Sequence, residues 1–265
     1  MVSQSEKAKA KELLLGGKIP GYVTAVLPIV ALLVLWQLVG QLHSRNPYAV
    51  SLSSTLAAVP AWWQRGMATD LRTSGEEILL GALIALVAGL VVGVLLGRVR
   101  VLDLLVGPWV RAFYTIPVIA LTPLFVIALG LGIESKVAII AMVGFFPIAI
   151  NTAVGTRQLN STYADIADSF GASRFKRVLR IDTPAALPYV ITAIRLAVAP
   201  MIVAVFVAEL LGGDGGVGYH IQQSAQSLNI ASMYAGILVL IVVAVVADGI
   251  VRAVENHMLA KRGIS

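Results

Sequence analysis

Tyr22 to Gly40, Ile78 to Leu96 and Val137 to Val154 are predominantly apolar stretches of 18 residues or more, each without a charged side chain. An α-helix of that length crosses the ~30 Å hydrocarbon core of a bilayer. Only helices and closed barrels satisfy every backbone polar group in lipid. A barrel strand alternates apolar and polar residues, and these runs do not alternate. The rest of the composition agrees. The chain has 265 residues, 58% hydrophobic and 13% charged, where a soluble domain carries about 25% charged residues. Half the usual charge cannot clothe a globular surface in polar groups. The fold class is therefore an all-α membrane protein.

Three further segments extend the count to a six-transmembrane-helix bundle. They are Leu104 to Leu131 with Arg111 near its start, Leu187 to Leu211 with Arg195 and Glu209 near its ends, and Met233 to Val251 carrying Asp248. The basic residues fix an orientation. With the N-terminus in the cytoplasm, 16 of the 20 Lys and Arg residues fall on the cytoplasmic side. Arg45, Arg65, Arg72 and Lys136 fall outside. This positive-inside bias places both termini in the cytoplasm. It also accounts for the net charge of +6, so no nucleic-acid partner is expected. Cysteine is absent, which excludes disulfides and thiolate metal sites. The lysines before Tyr22 mimic a signal peptide, but the apolar run is too long for one and no small-residue cleavage site follows. The polar stretch from Gln41 to Glu77 reads as an outer loop. In it Trp62 and Trp63 suit the headgroup belt of a surface helix.

The connection between the fourth and fifth segments is long for a bundle loop and needs an explanation. Thr162 to Asp165 fits a capping box opening a short helix, which ends at Gly171. Ser173 opens a second short helix, with Phe175, Val178 and Leu179 on one face and Arg174, Lys176, Arg177 and Arg180 around it. Two readings stand on the residues alone: an amphipathic loop lying on anionic lipid, or a knob that inserts into a groove of a cytoplasmic protein.

The order Asp165-Ile166-Ala167, three residues, Gly171, nine residues, Ile181-Asp182-Thr183-Pro184 resembles the cytoplasmic motif of ATP-binding-cassette (ABC) importer permeases. That motif runs Glu-Ala-Ala, three residues, Gly, nine residues, Ile-x-Leu-Pro. The spacing matches throughout, with Asp165, Ile166 and Thr183 as departures. Thr115 to Leu124, Phe145 to Asn151, Ala208 to Gly212 and Gly215 to Gly218 are also similar to this family. The likeness is to the group that imports taurine, alkanesulfonates, nitrate and some vitamin precursors.

The resemblance implies a type I ABC importer permease fold, in four parts. A cytoplasmic tail covers 1–21, and the first span with its outer loop covers 22–73. A core of five spans covers 74–258, with a coupling helix at about 162–180, and a second tail covers 259–265. It implies two ATP-binding cassette subunits, which use ATP and Mg2+, a second permease copy, an extracytoplasmic substrate-binding protein and surrounding lipid. Asp165, Ala167, Phe170, Gly171 and Ala172 would dock the ATPase, with Arg174 and Arg177 at the rim. Pro117, Pro147, Asn151 and Glu209 are candidates for the translocation pathway. Gly213, Asp214, Gly215, Gly216 and Gly218 are candidates for contact with the binding protein. The chain has no glycine-rich phosphate loop with Lys and Ser/Thr, so it is not expected to bind ATP or any other cofactor itself, and no catalytic or metal-binding residue is expected.

Two other classes fit less well. An ion-coupled secondary transporter needs acids or paired charges near the bilayer midplane, and Glu209 and Asp248 lie near span ends. A membrane-embedded enzyme needs a catalytic constellation inside the spans, whereas His43, His220 and His257 lie at span ends or outside them. Gly81, Gly89, Gly93 and Gly97 recur four or eight apart on the second segment, a pattern that lets helices pack closely.

Overall fold

The computed structural model describes residues 21–43, 45–46, 48–169 and 183–260. The chain divides into two compact units, 1–58 and 59–265.

In the first unit, α1 (Gly21–Leu42) leads through a short turn into the start of α2 (Leu52–Arg65). The turn folds back on α1. Trp36 Nε1 donates to Val50 O at 2.9 Å, and Gly40 packs against the Ser51 backbone. The first turn of α2 is capped twice over. Ser54 N donates to Ser51 Oγ at 3.3 Å, and Ser53 N donates to Gln37 Oε1 at 2.9 Å. These bonds satisfy amides that a helix start leaves without partners.

The second unit contains α3 (Met67–Arg98), α4 (Arg100–Leu105), α5 (Gly107–Tyr114), a 3-10 turn at Val118–Leu121, and α6 (Thr122–Leu129). They are followed by α7 (Ile133–Ser169), α8 (Thr183–Gly212), α9 (Val217–Gln226) and α10 (Ile230–Ala260). Among the described residues, four helices are long and apolar enough to cross a membrane, and a fifth crossing exists if the bent pair α5 and 118–129 is one span. Val26–Leu42 is a shorter apolar helix.

Helices α3 and α7 form the closest pair, and glycine makes it possible. A Cβ built on Gly81 would lie 2.6 Å from the Ile140 side chain, on Gly89 2.7 Å from Ile148, and on Gly93 2.6 Å from Thr152. Gly97 faces Thr156 in the same way. The four-residue glycine spacing is thus the seam against α7. Lipid tails are as apolar as side chains, so helices in a bilayer associate through close van der Waals contact rather than hydrophobic expulsion. Ala85, Ile139, Ile140, Ile148, Ala193, Ala197, Met201 and Val205 fill the centre where α3, α7 and α8 meet.

Two sequence expectations are corrected here. The segment from Leu104 to Leu131 is not one continuous helix: α5 and 118–129 meet at 82°. Pro117 lacks an amide hydrogen and its ring clashes with the carbonyl four residues back, while Ile116 is pushed away from helical geometry. Thr115 Oγ1 closes the broken end by donating to Ala112 O at 2.7 Å. The helix start expected at Thr162 is also absent. Helix α7 runs unbroken for 37 residues from Ile133 to Ser169. No proline lies between 155 and 169 and Gly155 is the single glycine there, so nothing local stops the helix. At 1.5 Å per residue α7 is about 55 Å long, which exceeds the ~30 Å hydrocarbon thickness by several turns.

Candidate functional site

Polar side chains gather at the two ends of the α3–α7–α8 bundle. At the end formed by the start of α3, the start of α7 and the end of α8, four polar side chains are buried side by side: Ser74, Glu77, Lys136 and Glu209. Glu209, near the end of α8, is 1% exposed. It receives a hydrogen bond from Ser74 Oγ at 2.5 Å and one from Gly218 N at 2.6 Å. Ser74 in turn accepts from Val217 N at 3.0 Å. The first two amides of α9 are therefore satisfied by side chains from α3 and α8, because Gly216 at the cap position has no side chain to offer. A carboxylate at a helix N-terminus also sits favourably in the helix dipole.

Beside it, Lys136 of α7 is 2% exposed and donates to Glu77 Oε1 of α3 at 2.8 Å. Lys136 also reaches Asp214 Oδ1 at 3.3 Å. The sequence reading assigned Lys136 and Glu77 to outer loop positions. Both are instead buried inside the bundle, paired across 59 residues. Pairing is the condition under which such charges survive away from water.

The glycine-rich loop is built around Glu209. Gly216 has φ +101 and lies directly against the Glu209 carboxylate, so a side chain there has neither conformation nor room. A Cβ on Gly218 would meet Phe206 O at 2.6 Å. Of the loop residues read as binding-protein contacts, Gly216 and Gly218 are buried, Gly213 and Gly215 are half-buried, and Asp214 is exposed.

The pathway candidates do not converge. Pro117 is exposed at the start of the 3-10 turn, and Pro147 is buried within α7. Asn151 Nδ2 donates to Pro147 O at 2.8 Å, bracing its own helix. Asn151 lies fifteen residues beyond Lys136 on α7, about 22 Å along the axis. It is therefore remote from the Glu209 network.

The opposite end of the bundle is held by arginine pairs. Arg157 of α7 pairs with Asp103 of α4, and Arg111 approaches the same carboxylate at 3.5 Å. Arg195 of α8 pairs with Glu255 of α10 at 3.0 Å. Arg195 thus belongs to this end and is no partner of Glu209. Beyond these pairs α7 continues to Ser169 and carries Asp165 and Ala167 on its last turns. Phe170, Gly171, Ala172, Arg174 and Arg177 lie outside the described residues.

Near the Glu209 end, a cavity of about 500 Å3 opens between the end of α2, the start of α3 and α9. Trp62 is among the residues that line it. The expectation that Trp62 sits in a headgroup belt is wrong: it is 1% exposed and stacks on His220 with ring centres 3.8 Å apart and planes 9° apart. Its Nε1 donates to Asp70 Oδ2 at 2.8 Å. Trp63 points the other way and is exposed. His220 Nε2 lies 3.1 Å from Ser232 Oγ and 3.4 Å from Ser224 Oγ. Burial lowers the His220 pKa below its ordinary value, with Arg65 adding to that effect while Asp70 and Ser232 oppose it.

Comparison with known proteins agrees with this architecture. Residues 85–260 match the family model described as binding-protein-dependent transport system inner membrane component. SsuC of Bacillus subtilis (strain 168), a permease named for aliphatic sulfonate transport, is 30% identical over 251 residues, covering 93% of this chain and 90% of SsuC. ThiX of Halalkalibacterium halodurans, named as a formylaminopyrimidine transport permease, is 31% identical over 194 residues, covering 73% of this chain and 78% of ThiX. The inward-facing MetNI methionine ABC transporter superposes with a TM-score of 0.63 at 20% identity, covering 75% of this chain and 98% of the matched one. That likeness shows a shared fold. A chain with this bundle, these spans and a family match over most of its core is a multi-pass helical membrane protein that belongs to the binding-protein-dependent inner membrane components, the permeases of ABC importers.

Proposed function

We propose that this chain is the membrane-spanning subunit of a bacterial inner-membrane importer for a small organic or inorganic anion of the sulfonate, taurine or nitrate kind. Two copies form the pathway, two ATP-binding cassette subunits drive it with ATP and Mg2+, and an extracytoplasmic binding protein delivers the solute. Six spans place both termini in the cytoplasm, with 1–21 and 259–265 as tails and 74–258 as the core.

The observation that carries this reading is the length of α7. It outruns the bilayer and delivers Asp165 and Ala167 beyond the arginine pairs, at the end where the positive-inside bias puts the cytoplasm. Phe170, Gly171 and Ala172, with Arg174 and Arg177 at the rim, continue the motif in the sequence and lie outside the described residues; they are read as the contact for the ATPase subunit. The broken span at Pro117 supports a pathway role for that region, because irregular backbone in a bilayer belongs where protein or water satisfies it. The SsuC likeness supports the anion class. The ThiX likeness favours, as a second reading, a vitamin precursor.

The test is reconstitution of the chain with its ATPase and binding protein in proteoliposomes. Uptake should require ATP and the binding protein and should be blocked by vanadate. Uptake that follows an ion gradient without ATP would instead mark a secondary transporter.

A further inference from the structure

We propose that the cavity between Arg65, Asp70, Trp62 and α9 is the socket for an acidic side chain on a loop of the extracytoplasmic binding protein. This rests on the importer reading above and on its orientation, which puts the Glu209 end outside.

The lining has the make-up of a protein contact rather than a lipid-facing surface. Arg65, Asp70, Tyr219, His220, Gln223 and Asn229 surround an open space of about 500 Å3. Tyr, Trp and Arg are the residues enriched where proteins meet. This lining is rigid. Trp62 is fixed by its stack on His220 and its bond to Asp70, and α9 is fixed at its start by Ser74 and Glu209. A rigid socket loses little entropy when it is filled.

Charge then selects the occupant. Asp70, which also lines the space, accepts from the neutral Trp62 indole at 2.8 Å and keeps its negative charge, so an incoming acid must seat at Arg65 rather than beside Asp70. Among the described residues, the only hydrogen bond from the Arg65 guanidinium runs from Nε to Ala61 O at 3.0 Å. Both of its Nη groups are left to a carboxylate, which a guanidinium fork binds through two parallel hydrogen bonds. Leu228 completes the surface. It lies between the lining residues Ser227 and Asn229, is 69% exposed, and holds φ +55. That left-handed conformation is unfavourable for a leucine. It presents an apolar knob at the socket's edge, so the incoming loop should carry an apolar residue next to its acid.

The experiment uses the full complex in nanodiscs with the binding protein that stimulates its ATP hydrolysis. A photo-crosslinking benzoylphenylalanine is placed at Gln223, at Leu228, and at the exposed Leu83 in the apolar stretch of α3 as a control. Crosslinks to the binding protein are expected at 223 and 228 and not at 83, on a peptide containing Asp or Glu. Arg65→Glu should weaken binding-protein affinity about tenfold or more, and Arg65→Lys should weaken it too, though less, since lysine keeps the charge but cannot supply the two parallel hydrogen bonds of the guanidinium fork. Stimulation with no crosslink at either position, or crosslinks to a segment without an acid, overturns the socket and leaves the importer reading standing. If no binding protein stimulates hydrolysis at all, the importer reading fails and takes the socket with it.

Discussion

Ser74 and Glu209, 135 residues apart, share a hydrogen bond of 2.5 Å, and together they hold the first two amides of α9. A helix thus begins on side chains supplied by two other helices. Ser74→Ala removes one of those acceptors and should cost about 1 kcal/mol, as a lost helix cap does. Glu209→Ala removes the other, and with it the group the glycine loop wraps, so its cost should be larger. Hydrogen exchange reads the effect locally: the amides of Val217 and Gly218 should exchange faster in both variants. Unchanged exchange at those two amides would show that α9 does not depend on this cap.

The Lys136–Glu77 pair makes a sharper demand. Both side chains are almost completely removed from solvent. Lys136→Met leaves the Glu77 carboxylate buried without its cation, at a cost of roughly 3–5 kcal/mol. The double variant Lys136→Met with Glu77→Leu removes both charges and should recover most of that loss. Thermal unfolding in detergent distinguishes the cases. If the double variant is no more stable than the single one, the pair is not the source of the penalty.

Steric fit tests the α3–α7 seam. Gly89→Leu would drive a side chain into Ile148, since even a Cβ would sit 2.7 Å from it. The helices must separate and the folded yield should collapse. Gly75, on the same helix, has no atom within 4 Å of a Cβ position, so Gly75→Ala should be nearly silent. Equal behaviour of the two variants, measured by size-exclusion profile, would remove the seam from the account.

The seam was legible in the sequence because it is written in one helix at a fixed spacing. The long apolar runs were legible for the same reason: hydropathy is a property of contiguous residues. The buried pair was not. Lys136 and Glu77 each stand among polar neighbours, and only tertiary packing turns both inward against each other. Trp62 misled similarly, because a tryptophan beside polar residues suits a headgroup belt and nothing local announces that His220 will cover it. The continuation of α7 past Val154 was missed because Thr162 and Asp165 form a plausible capping box, and propensity through Arg157, Gln158 and Leu159 overrode it. The sequence offers Glu209 as a pathway candidate and gives no sign of its bonds to Ser74 and Gly218, which only the packing of α3 and α9 against α8 creates.

The proposed docking of an ATPase subunit has its own outcome. Gly171→Arg should leave membrane insertion intact and abolish co-purification with the ATPase. Asp165→Lys should weaken co-purification more than Arg157→Ala does. Arg157 pairs with Asp103, so Arg157→Ala should act on bundle stability and lower the unfolding temperature instead. An ATPase that stays bound to Gly171→Arg, with uptake intact, sinks the docking assignment.

Acidity should loosen the protein at His220. This imidazole is 9% exposed, and burial, the largest influence on it, lowers its pKa. The groups around it are Asp70, which favours the charged ring, Arg65, which disfavours it, and the Ser224 and Ser232 hydroxyls. With the folded pKa below the unfolded value of about 6.5, the unfolded chain binds more protons in the interval between them. Stability therefore rises with pH across that interval and is flat, as far as His220 is concerned, above about 6.5. Unfolding temperature in detergent should fall as the pH is lowered from about 7 to about 5. His220→Phe keeps a ring on Trp62 but cannot take a proton, so the fall should shrink. Asp70→Asn removes the carboxylate that tolerates the imidazolium, so the fall should steepen. A pH dependence that is the same in wild type and His220→Phe would place the titrating group elsewhere.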